Sequence, residues 1–221
     1  VSSQKRDSAL DFASAGIVVG LAAEARIARR MSPFVRCAAS RPAEAERHAR
    51  ELIAAGVPLL ISFGIAGGLD PDLRPGDLVV ADRVITAAGE HPALADCAAA
   101  LGARVGAVYG DTALMPDPGY KRALRQSTGA LAVDMESGAV AMVAAEAGIT
   151  CLVIRAVADI AAHGLPPAAL ISLDLAGRPR LAAVLGSVLT QPRQIPRLIG
   201  VARETGAAMR SLERVARMLR A

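Results

Sequence analysis

Aromatic side chains are nearly missing from this chain, which has two Tyr, three Phe and no Trp among 221 residues. Hydrophobic residues still make up 53% of it, so the core must be closed by Ala, Val, Leu and Ile in tight helix-on-sheet layers. The same scarcity argues against nucleic acid as a partner, because single strands are held largely by stacking on aromatic rings. Cys37, Cys97 and Cys151 are odd in number and form no CxxC pair, which excludes a disulfide framework and fits a reducing compartment. His48, His91 and His163 lie far apart with no ligand spacing, so no metal site is expected. No uninterrupted apolar run reaches the roughly 18 residues that a membrane span needs. Lys5-Arg6 ahead of the apolar run from Phe12 to Ala23 has the outline of a signal peptide. Ser14, Gly16 and Gly20 interrupt that run and Glu24 follows it, so a cytoplasmic protein is expected.

What is present is one even composition from end to end, read as a single α/β domain over residues 1–221. The formal charge is +4, and it concentrates in a tail from about 192 to 221, where seven arginines face Glu204 and Glu213. A solvated basic helix face explains that tail better than nucleic acid does, and peripheral contact with an anionic membrane surface stays open. Met209, Leu212, Val215, Ala216 and Leu219 recur within it at helical spacing, as a core-facing stripe would.

Taken in order, Ala15 to Gly20 reads as a strand and Gly20 to Glu24 as the turn that opens a helix. Glu24 is explained either as a first-turn partner of the helix dipole or as an acid facing a crevice. Arg41 to Ala55 is an amphipathic helix with Pro42 at its start and Gly56 past its end. Pro58 to Phe63 reads as a strand running into Gly64-Ile65-Ala66-Gly67-Gly68, a loop where backbone can approach a ligand. That loop has neither the P-loop nor the dinucleotide-site pattern. Asp77 to Thr86 is a strand, Pro92 to Leu101 a helix, Val105 to Tyr109 a strand and Tyr120 to Gln126 a helix, with a candidate lid at Pro116 to Gly119.

The chain is organised around Leu131 to Ala161, which reads as strand, helix, strand. The helix spans Ser137 to Ala147, Gly148 stops it, and a buried strand follows from Thr150. A right-handed crossover would make the two strands parallel and deliver Met135-Glu136 and Asp159 to the same rim. Arg155 and Asp159 end an apolar run, where charges must be paired or used. A purely structural Arg-to-carboxylate pair accounts for them as well as a functional site does.

SFGIAGGLDPDLRPGDLVV, VDMES and VIRAVADIA, in this order, resemble the nucleoside phosphorylase and nucleosidase superfamily, which includes methylthioadenosine/adenosylhomocysteine nucleosidases. With GLAAEAR and YGDTALM added, the chain looks most like the branch associated with hopanoid biosynthesis. The resemblance implies a three-layer sandwich around a central mixed sheet, a homo-oligomer, and cleavage of an N-ribosidic bond, most closely release of adenine from adenosylhopane. Asp159 matches the acid that protonates the leaving base, and Glu24 falls near the water-activating glutamate. Glu136 matches the carboxylate that grips the ribose hydroxyls. Met135 would pack on the sugar, Val133 would line the base pocket, and Arg155 would stand by the acids. Gly64, Ile65, Ala66 and Gly67 would form the cradle. Breaking this bond leaves positive charge on the sugar and negative charge on the base, which is why a proton donor and anionic support are needed.

No cofactor is implied beyond phosphate as co-substrate if the enzyme is a phosphorylase. Ile65 stands where many relatives carry a hydroxyl that helps hold phosphate, which tilts the expectation toward hydrolysis. Cys37 to Arg41 lacks a second glycine-rich turn, although Ser40-Arg41 can supply an anion contact. An aromatic that stacks on small nucleosides would fall near Ala113, and its absence suits a bulky hydrocarbon tail. Two alternatives stand beside this reading: a phosphate-dependent purine nucleoside or methylthioadenosine phosphorylase, and a non-catalytic nucleoside-binding protein.

Overall fold

The computed structural model describes residues 10–110, 117–162, 174, 176–178, 193 and 195–220. Eight strands form one mixed sheet. β1 (Gly16–Val19) lies parallel to β2 (Val35–Cys37) on one side and to β3 (Leu59–Gly68) on the other. β3 runs parallel to β8 (Thr150–Asp159) along almost its whole length, and meets β7 (Ala132–Asp134) antiparallel only at Gly67 and Gly68. β7 pairs with β6 (Arg104–Gly110), β6 with β4 (Leu78–Thr86), and β4 returns to β8 antiparallel. The pairings β3, β7, β6, β4, β8 and back to β3 therefore close a ring. β5 (Gly89–Pro92) adds a hairpin arm to β4.

Alternation along the strands sorts the core into two layers. Ile17, Val19, Ile61, Phe63, Leu152 and Ile154 face α1 (Ala22–Ala28) and the long C-terminal helix α6 (Ile195–Met218). Val18, Leu60, Val153 and Val157 face α2 (Pro42–Ala54) and α5 (Ser137–Ala147). This is the helix, sheet, helix arrangement expected. The short α3 (Ala98–Leu101) packs in the first layer, while α4 (Pro118–Thr128) covers a third cluster that includes Val133. In α6, Leu212, Val215 and Ala216 are buried in the core, and Met209 and Leu219 pack against it. Among the described residues no helix is long and apolar enough to cross a membrane.

Three expectations change, and one strand is added. The glycine stretch from Gly64 to Gly68 is no loop but the second half of a ten-residue strand. The strands on either side of α5 do not form a parallel pair, since β7 is antiparallel to β3 and β8 parallel to it. β7 therefore runs back along β3, and Glu136 reaches the site from the direction opposite to Asp159. Pro92 ends a strand, leaving only Ala98 to Leu101 helical. Val35–Cys37 is a strand that its short, polar-interrupted sequence did not announce. The candidate lid is described only from residue 117 onward, where Asp117 caps α4 through the Gly119 and Tyr120 amides; Ala113 and His163 lie outside the described residues.

Candidate active site

The site follows from a change of neighbours along β3. β1 pairs with it through Ser62 and β7 takes over at Gly67, so among the described residues one edge of Phe63 to Ala66 has no strand beside it. Backbone groups at such a gap need other partners. Glu24 supplies one. It lies in the first turn of α1, 2% exposed, and its Oε1 accepts the Ile65 amide at 2.8 Å. Its Oε2 accepts the amides of Gly20 and Leu21 at 2.9 and 2.8 Å. The dipole explanation of Glu24 is thus incomplete, since this carboxylate ties the end of β1 to the open edge of β3. Burial pushes its pKa up, while the Ile65 amide, the Arg155 charge and the two other amides pull it back.

Arg155 has no exposed surface, and it stands on the α5 side of β8 between Ile154 and Ala156. Its Nε meets Asp134 Oδ2 at 2.7 Å. Its Nη2 donates to Ser137 Oγ at 3.0 Å and to Ser62 Oγ. Asp134 also accepts the amides of Glu136 and Ser137 at 2.8 and 2.7 Å, so one side chain both caps α5 and orients the guanidinium. The structural Arg-to-carboxylate pair therefore exists, with Asp134 as its acid.

Glu136, 4% exposed, approaches Arg155 Nη2 at 4.0 Å and hydrogen-bonds Ser40. Ala39 and Ser40 both adopt φ of +53°, a left-handed turn made without glycine, and strain of this kind collects at functional sites. Ser40 thereby serves Glu136, while Arg41 is exposed. Burial, with Asp134 and Glu24 nearby, raises the Glu136 carboxyl to about 8 against the pull of Arg155. Glu136 Oε1 and Arg155 Nη1 are buried with no hydrogen-bond partner among the described residues. These two atoms flank the places where glycine is required. A methyl group on Gly20 would come within 2.5 Å of Glu136 Oε1, and one on Gly64 within 2.6 Å of Arg155 Nη1 and 2.7 Å of Glu24 Oε1.

Asp159, the last residue of β8, pairs with Gly67, three residues farther along β3 than Gly64. Its Oδ1 and Val133 Cγ1 each stand 3.3 Å from where a Gly67 side chain would begin. Its Oδ2 is held by Lys121 of α4. The two acids therefore share one strand segment, with Glu136, Glu24 and Arg155 toward Gly64 and Asp159 toward Gly67. Val133, in the third core cluster, and Asp159 both approach Gly67, and Met135 is half-buried. Ile65 offers its amide to Glu24 and packs its side chain against the core. Ala66 is buried in the opposite layer, which leaves its backbone as the part that could serve a cradle. Asp134, Ser62, Ser137 and Lys121 were not anticipated, and Ser40, expected as an anion contact, instead bonds Glu136. Asp134 carried a legible signal, an Asp three residues before Ser137 at the start of an apolar helix. Among the described residues no group of His, Cys, Asp and Glu could hold a metal, and all three cysteines are free.

A family model described as the phosphorylase superfamily matches residues 34–126 and 103–190. A 5′-methylthioadenosine/S-adenosylhomocysteine nucleosidase of a Marinomonas species is 32% identical over 135 residues, 48% of this chain and 58% of that protein. One of Mycobacterium tuberculosis is 30% identical, with 48% and 60% covered. The chain thus spans under two thirds of the length of these relatives. Among solved structures, a Helicobacter pylori nucleosidase mutant with 5′-methylthioadenosine in its active site superposes with a TM-score of 0.62 at 15% identity, covering 90% of this chain and 96% of that one. The futalosine hydrolase of the same organism gives 0.62 at 19% identity, with 80% and 97% covered. At such identities these structures establish the shared fold.

Proposed function

Because the chain belongs to the phosphorylase superfamily, we propose that it cleaves the N-ribosidic bond of an adenosine-type nucleoside by hydrolysis. Glu24 takes the proton of the attacking water, Glu136 holds the ribose hydroxyls, and Asp159 protonates the departing base. The observation that carries this reading is the buried Glu24 carboxyl, fixed by three backbone amides at the open edge of β3. A general base works best with a pKa near the operating pH, and burial moves Glu24 upward from the ordinary carboxylate range. The unpartnered Glu136 Oε1 offers an acceptor for a sugar hydroxyl.

Hydrolysis is favoured over phosphorolysis because Ile65 brings no hydroxyl to the cradle and turns its side chain into the core. The reaction as drawn needs only water. The finer reading is a substrate whose ribose carries a hydrocarbon 5′ substituent, adenosylhopane being the compound that the GLAAEAR, SFGIAGGL and YGDTALM motifs favour. The test is incubation of the purified protein with methylthioadenosine and with an adenosylated lipid in phosphate-free buffer, watching for adenine. Adenine from the lipid supports both levels of the reading, and adenine from methylthioadenosine alone overturns the finer one. Absolute dependence on phosphate overturns hydrolysis. No adenine from either, with or without phosphate, overturns cleavage of these nucleosides.

A further inference from the structure

Of the twenty-five basic residues that are Lys or Arg, only Lys5 and Lys121 are lysines. The ion pairs of Arg47, Arg50, Arg83, Arg125 and Arg155 all use a guanidinium. Asp159 is met by an ammonium instead. The Lys121 side chain is 1% exposed, and its Nζ donates to Asp159 Oδ2 and, at 3.1 Å, to the Ile160 carbonyl. For charge alone, arginine would serve. The chemical difference is that a guanidinium does not give up its proton in proteins, whereas a buried ammonium does so readily.

Resting on the hydrolytic reading above, we propose that Lys121 supplies Asp159 with the proton that the departing base receives. Lys121 acts only through Asp159 and is a positioning residue in that sense. Before reaction the pair is carboxylate and ammonium. As the bond between the ring nitrogen and the ribose carbon breaks, its electron pair stays with the base. The Lys121 ammonium passes a proton to the Asp159 carboxylate, and the carboxyl so formed hands that proton to the base. The pair is left as carboxylate and neutral amine, which solvent reprotonates. The attacking water loses its proton to Glu24, which releases it to solvent, so protons balance over the cycle.

The charged surroundings are simple among the described residues. Asp159 is faced by Lys121 from α4, by Gly67 from β3 and by Val133 from β7, and the last two carry no charge. Lys121 is faced from β8 by Asp159 and followed at once by the Ile160 carbonyl, while on its own helix Arg125 is paired with Asp70. Glu24, Asp134, Glu136 and Arg155 gather at the other end of the β3 segment.

The experiment compares turnover against pH for the wild type, Lys121→Arg and Lys121→Met. Turnover in the wild type should persist through neutral pH and not decline across the carboxylate range. Lys121→Arg keeps the charge without the transferable proton, so kcat should drop by about tenfold or more with KM unchanged. In Lys121→Met, Asp159 must be protonated from solvent, and activity should decline with rising pH across the carboxylate range. Wild-type turnover and an unaltered profile in Lys121→Arg overturn the relay. Should neither variant fold, a wild-type activity that already declines across the carboxylate range overturns it, and one sustained to alkaline pH supports it. A wild type that releases no base overturns the hydrolytic reading itself, which is a separate result.

Discussion

Two groups of charge sit on one stretch of β3, and they are balanced differently. Toward Gly64, three carboxyls, those of Glu24, Asp134 and Glu136, share the single guanidinium of Arg155. Toward Gly67, Asp159 is paired with Lys121. Burial raises both Glu24 and Glu136, and the one shared cation only partly offsets it. In the relay proposed above, Asp159 obtains from Lys121, at the moment of reaction, the proton it gives to the base.

The comparison breaks most sharply at Glu24. Glu24→Gln should lower turnover by about 10²–10⁴-fold, since the amide cannot accept a proton from water, and progress curves of base release measure it. At the other end, Asp159→Asn should cost on the order of 10²-fold in kcat while nucleoside binding, followed by calorimetry, is kept. Arg155→Met sharpens the contrast in stability rather than rate. Leaving Asp134 buried without its cation should lower unfolding free energy by about 3–5 kcal/mol, read from urea denaturation.

The protonation difference has its own signature. The Glu136 carboxyl titrates near 8 in the fold against an ordinary value of 4.5, so the folded state binds the extra proton between these limits. The stability this contributes is complete below the lower value and is lost as pH rises through the upper one. Glu136→Gln, which cannot ionise, should flatten the fall of Tm across that window, whereas a fall as steep as in the wild type would assign the slope to other groups. The smallest effect belongs to charge that is merely solvated. Arg50 pairs with Glu46 and Glu146 on the open face of α2, and Arg50→Ala should leave the urea midpoint of unfolding essentially unchanged.

The sequence already showed much of this where residue type and local pattern carry the meaning. Ser137 to Ala147 is read correctly to the residue because an apolar run ends at Gly148, which adopts φ of +67° and closes the helix. Glu24 was legible because an acid directly after a strand and turn has few uses. The glycines of Gly64 to Gly68 misled, since glycine marks loops in general. Here glycine is required inside a strand because Glu24, Arg155 and Asp159 press against its backbone. Lys121 and Asp134 acquire their roles only through distant partners, Asp159 and Arg155, and no local pattern encodes a contact across the sheet. Strand direction was hidden for the same reason, because alternation does not tell parallel from antiparallel.

The closed circuit of five strands has a kinetic corollary. Its last link joins β3 to β8 across some ninety residues of intervening chain, and contacts so remote in sequence form late and slowly. The groups that handle protons are distributed over β8, α4, α5 and the turn after β1, so none can mature ahead of that final link. Amides on either side of Gly64 should consequently exchange with deuterium in one cooperative opening, and a half-folded chain should carry no fraction of the activity.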